Sequence, residues 1–175
     1  MITPTYCQMM ARYNGWMNST IYHAAATLID EARTRDIGAF FKSLNGTLNH
    51  LIVADTLWLS RFAPNEKLPV PAAQISALNQ VLTSDFAQLL DWRRSLDDGI
   101  HSMANTLTQT LIDSELVYKR MNGQEMRTPY GNALAHFFNH QTHHRGQATT
   151  LLMQLGVDPG TTDLISMPGV RAEAK

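Results

Sequence analysis

Residues 130–155, YGNALAHFFNHQTHHRGQATTLLMQL, decide how this chain folds. Pro129 precedes the stretch, and Gly156 and Pro159 follow it. Proline presets a backbone angle that suits a helix start, and glycine readily takes the left-handed conformation that ends one. The spacing predicts a helix from about Tyr130 to Leu155. Four histidines fall close together inside it: His136, His140, His143 and His144. With about 100° per residue and His140 as zero, His144 lies at about +40°, Ala133 and Leu151 at about +20°, and Phe137 at about +60°. His136 and His143 fall at about −40° and −60°. The apolar stripe is therefore expected to centre between His140 and His144. His136 and His143 are expected to flank it, supporting the site or facing solvent.

Two imidazoles one helical turn apart can share a metal ion. Such an ion takes nitrogen ligands at about 2.0–2.1 Å and wants at least three of them from the protein. The third ligand must come from another helix. His50 shares a stripe with Ser43, Gly46, Thr47 and Ala54, whose small side chains leave room for an ion and a substrate. A lone inward histidine is more often a hydrogen-bonded core residue. Three together, each stripped of water and in need of a partner, point to a divalent metal on His50, His140 and His144. Gln147, on the same face as His140, is placed to hydrogen-bond a ligand's free ring nitrogen or a bound water.

Outward from these residues, the chain reads as helical. After Thr3-Pro4, Tyr6, Met10, Tyr13, Met17, Thr20, Ala24 and Leu28 recur at helical spacing. A charged break follows from Asp30 to Asp36. A second helix is expected from about Ile37 to Phe62, apolar on two sides. Two apolar sides mean a central place in the bundle or a face for a second subunit. Pro64, Pro69 and Pro71 form a linker, and a third helix is expected from about Ala73 to Asn105. Thr110-Leu111-Ile112 and Leu116-Val117-Tyr118 are strand-like, and Asn122-Gly123 is a strong hairpin signal. A small β-hairpin is expected at about Glu115–Arg127. One domain over 1–160 and an irregular tail over 161–175 complete the reading.

Composition narrows the function. The chain has 175 residues and a formal net charge of −1, so no basic field exists to gather nucleic acid or an anionic membrane. Arg93-Arg94, the one arginine doublet, is expected on a solvated helix face. No run of 18 apolar residues occurs, so no membrane span is expected. Cys7 is the single cysteine; a packed, unreactive thiol and a cytoplasmic location are expected. The opening Met1-Ile2-Thr3-Pro4 has no charged-then-apolar leader pattern. His23 and His101 are expected at the surface, Arg145 at a rim of the cavity or of a dimer, and Asp55 in a cap or a surface ion pair, with support of the metal site as the alternative.

Asn45-Gly46-Thr47-Leu48-Asn49-His50-Leu51-Ile52-Val53-Ala54-Asp55, with Trp58 and Arg61, resembles the second helix of DinB-family proteins. Asn139-His140-Gln141-Thr142-His143-His144-Arg145-Gly146-Gln147 resembles that family's last helix, and Tyr13-Asn14-Gly15-Trp16-Met17-Asn18 its first. The resemblance implies an all-α fold, a four-helix bundle that often forms a homodimer, with a three-histidine metal site. It places the ligands on His50, His140 and His144 and suggests zinc or nickel as the ion. A three-histidine site leaves a coordination position open, the arrangement of a catalytic rather than a closed structural metal. The expected function is a metal-dependent enzyme acting on a small-molecule substrate, either a transferase that uses a low-molecular-weight thiol as its second reactant or a hydrolase. The alternative is a non-catalytic metal-binding stress-response protein.

Overall fold

Thr3 and Pro4 open the first helix. The Thr3 hydroxyl accepts the amide of Tyr6 at 3.1 Å, and proline takes the first helical position, where no amide is needed. The structure, a computed structural model, describes residues 2–170. Four long helices form the bundle: α1 (Pro4–Ala26), α3 (Leu44–Phe62), α4 (Phe86–Thr106) and α6 (Tyr130–Gln154). Short helices α2 (Asp30–Thr34) and α5 (Gln109–Ile112) lie in the connections. Helices α1 and α3 each pack on both α4 and α6. The core between them includes Met17, Ile21, Leu48, Ile52, Leu96, Ile100, Phe137 and Leu152. No helix among the described residues is long and apolar enough to cross a membrane.

Several boundaries differ from the sequence reading, each for a local reason. The expected helix from Ile37 begins at Leu44 instead. Ser43 caps it by accepting the amide of Gly46, and residues 37–42 form a tight turn with Lys42 at φ 68. The expected third helix from Ala73 begins at Phe86, where the Asp85 carboxylate accepts the amides of Ala87 and Gln88. Residues 75–85 are an irregular strap, preceded by a single 3-10 turn at Ala72–Gln74. The charged break contains α2, and strand-like Thr110-Leu111-Ile112 lies in α5, capped by Thr108.

The strap explains why α3 is apolar on two sides. Ile75, Ala72 and Leu82 pack on Val53 and Leu57, so the second face is covered within the chain.

The hairpin is present as β1 (Glu115–Lys119) and β2 (Glu125–Pro129), antiparallel with Val117 opposite Arg127. The Gly123 amide closes the turn on the Arg120 carbonyl, and Gly123 alone in that turn has positive φ, at 81°. This is a three-residue loop with glycine in the left-handed position, not the two-residue Asn-Gly turn. Helix α6 ends as its sequence predicts: Gly156 at φ 81 donates to Met153 and Val157 donates to Leu152. The expected tail falls partly on residues 171–175, which lie outside the described residues. Within 161–170 there is a 3-10 turn at Leu164–Ser166, Met167 is buried, and the Tyr13 hydroxyl donates to the Thr162 carbonyl.

Candidate metal centre

Helix α3 supplies His50 and helix α6 supplies His140 and His144, and the three rings meet where the helices face each other. The Nε2 atom of His50 lies 3.3 Å from that of His140 and 3.2 Å from that of His144. Among the described residues this is the one group of histidine, cysteine and acidic side chains whose ligand atoms converge closely enough to hold a metal ion.

The outer nitrogens fix the tautomers. Nδ1 of His50 is 2.8 Å from the Leu78 carbonyl, which can only accept, so Nδ1 carries the proton. Nδ1 of His144 donates to Oε1 of Gln147 at 2.7 Å. In the neutral rings Nε2 is then bare on both, and two lone pairs face each other across 3.2 Å. Burial, the largest influence, depresses the pKa of all three imidazoles, that of His140 to about 3 with neighbouring histidines adding to the effect. Neutral rings with converging bare nitrogens fit a divalent cation. Two nitrogens bound tetrahedrally at about 2.05 Å would stand about 3.3 Å apart, which matches the observed spacing.

The site rests on a supporting layer. Asn49 is fully buried and clamps the strap: its Oδ1 accepts the amides of Leu82 and Thr83 at 2.8 and 3.1 Å, and its Nδ2 donates to the Thr83 carbonyl at 3.0 Å. That clamp holds the Leu78 carbonyl against His50. Phe41 stacks flat on His50, with ring centroids 4.0 Å apart, and meets His144 edge-on. It closes one side of the cluster. On the other side a cavity of about 740 Å³ reaches His50 and His140, walled by Leu57, Trp58, Tyr118 and His136.

His136 and His143 sit on the flank, both exposed, as the helical wheel predicts. The His136 ring bridges His140 and Trp58, and Nε2 of His143 accepts a long bond from Gln147. The wheel needs one correction. The buried face of α6 includes Gln141, Arg145 and Ala148 as well as its apolar residues. Its centre is displaced from the expected position by roughly 60°, taking 100° per residue. His140 and His144 therefore occupy the edge of the buried face, where a cavity can reach them.

Three other expectations are corrected. Asp55 is buried and paired with Arg93 at 2.6 Å, not capping or at the surface. Arg93 is buried between Asp55 and Asp97, whereas Arg94 of the same doublet is exposed. Burial disfavours the Arg93 charge, but Asp97 and Asp55 outweigh it, so the guanidinium is held above its ordinary pKa. Arg145 is buried under Tyr13, with its guanidinium 5.3 Å from the ring centroid, and not at a rim. Sequence reasoning missed Phe41, Asn49 and the Leu78 carbonyl. Ser43, three residues before Gly46, was the available sign that the helix starts late and frees Phe41 to fold back.

Residues 1–172 match the DinB family. The chain belongs to the DinB family. Protein DinB of Bacillus subtilis (strain 168) is 24% identical over 151 residues, covering 86% of this chain and 87% of that protein. The uncharacterized protein YrdA of the same organism is 28% identical over 163 residues, covering 85% and 78%. No solved structure matches. The matched residues span the bundle and both histidine-bearing helices.

Proposed function

We propose that this DinB-family chain is a metal-dependent enzyme, with a divalent transition ion, zinc or nickel, held by His50, His140 and His144. It acts on a small molecule as a thiol-dependent transferase or a hydrolase. The observation behind this reading is the 3.2 Å contact between two imidazole Nε2 atoms whose Nδ1 atoms already have hydrogen-bond partners, beside a cavity.

An ion held there supplies Lewis acidity, lowering the pKa of a water or thiol that reaches its open position and polarising an oxygen. The protein does the rest. Leu78 and Gln147 orient the His50 and His144 rings through their Nδ1 protons. Phe41 excludes water from one side, and Ala54, Leu57 and Trp58 give the substrate an apolar wall on the other. A cytoplasmic location suits the single buried thiol, and homodimerisation follows from the family resemblance; the mass in solution tests the latter.

Metal-loaded protein should turn over a low-molecular-weight thiol with an electrophile, or hydrolyse a small ester or amide, and lose that activity when chelated while its helical signal persists. A protein that unfolds on chelation and never turns over would instead hold a structural ion.

A further inference from the structure

Arg61 lies three turns beyond His50 on α3, roughly 16 Å along the helix at 1.5 Å per residue. Its guanidinium stacks 4.6 Å from the ring centroids of both Trp58 and Tyr118. No carboxylate pairs with it among the described residues, and none lines the cavity it faces. The neighbouring cation is a second arginine: exposed Arg120 lines the same cavity and acts on Arg61 by like-charge repulsion.

That arrangement is unfavourable as it stands. Half-burying a guanidinium removes water from it, and a nearby like charge adds to the cost. Burial lowers the Arg61 pKa first, and Arg120 lowers it further. Aromatic stacking offsets part of this but leaves the in-plane N–H donors unpaired. Those donors suit an anionic oxygen group, which guanidinium binds with paired, charge-assisted hydrogen bonds.

The ring wall joins this charge to the histidine cluster. Trp58 contacts His136 at 5.2 Å between centroids, and His136 contacts His140 at 5.7 Å. We propose that Arg61, with Arg120, forms an anion subsite at the far end of the cavity, so that the substrate is an elongated molecule with a carboxylate at one end and an apolar or aromatic body along Trp58. This inference rests on the reading that the cavity beside the histidines receives the substrate. It assigns Arg61 to binding and orientation, not to the reacting end.

Calorimetric titration with 6-phenylhexanoate and its neutral amide, 6-phenylhexanamide, tests it in metal-free and metal-loaded protein. Wild type should prefer the carboxylate by about tenfold or more in both forms. Arg61→Met should keep amide binding and lose the preference, with unchanged metal content by elemental analysis; Arg61→Lys should keep part of it. Equal binding of the two ligands to metal-free wild type, or no carboxylate binding at millimolar concentration, would overturn the proposal without needing any variant. A preference confined to metal-loaded protein would also overturn it, because the ion would then be taking the anion. Failure of the metal reading looks different: no bound metal, with the Arg61-dependent preference intact.

Discussion

The backbone carbonyl of Phe41 lies directly over the bare α-carbon of Gly46, so close that a β-carbon on Gly46 would stand 2.0 Å from the carbonyl oxygen. This contact folds the turn before α3 back onto the helix and lays the Phe41 ring on His50. Gly46→Ala must push the turn away. The expected loss is about 2 kcal/mol of stability from overpacking, with weaker metal binding as Phe41 lifts. Gly146→Ala on α6, where a β-carbon meets nothing within 4 Å, is the matched control and should be neutral or slightly stabilising. Thermal melts and metal titration of both variants check this.

The hydrogen bonds behind the histidines give a second prediction. Gln147→Leu removes the acceptor for His144 Nδ1, and Asn49→Ala releases the strap that carries the Leu78 carbonyl. Each should lower metal affinity by about tenfold to a hundredfold while leaving three histidines in place. Competition with a chromogenic chelator reads the affinity; unchanged binding in both variants would show that the rings need no such orientation.

The buried ion pair predicts a stability effect away from the site. Asp55→Ala leaves Arg93 buried with only Asp97 beside it. The expected cost is about 3 kcal/mol, or a fall in Tm of about 10 °C for a chain this size. Arg94→Ala, which removes an exposed arginine 3.8 Å from Asp91, should change Tm by about 1 °C or less.

Cys7 supplies the pH prediction. Burial raises its thiol pKa from 9.0 to about 11. The folded value exceeds the unfolded one, so the neutral thiol's contribution to stability is complete below pH 9 and is lost as pH climbs from 9 toward 11. At pH 8 the folded protein should react with a disulfide reagent far more slowly than the urea-unfolded chain, as absorbance kinetics would show.

The elements with local end signals were legible: Thr3-Pro4 opens α1, Pro129 and Gly156 bound α6, and Asn122-Gly123 marks the hairpin, whereas the start of α3 lies at Leu44 and not at Ile37. His50, His140 and His144 stood out because their spacing puts them on inward stripes, and the structure brings those three together. The hidden part is polar. Arg93 occupies a core position in the series Leu89, Arg93, Leu96, Ile100 and Met103, but its charge argues for solvent unless Asp55, 38 residues earlier, is known to meet it. Gln141 and Arg145 mislead the wheel in the same way. The Leu78 carbonyl has no side-chain signature at all, since its role depends on a strap shape that Asn49 sets from another element.

On the proposed function, the convergent nitrogens of His50, His140 and His144 hold one ion. Elemental analysis of the purified chain, repeated on His50→Ala, His140→Ala, His144→Ala and the flanking His136→Ala and His143→Ala, tests it most directly. About one transition-metal ion per chain is expected in wild type and in the two flanking variants, and next to none in the other three. Full metal retention in His144→Ala, or loss of metal in His143→Ala alone, would contradict it.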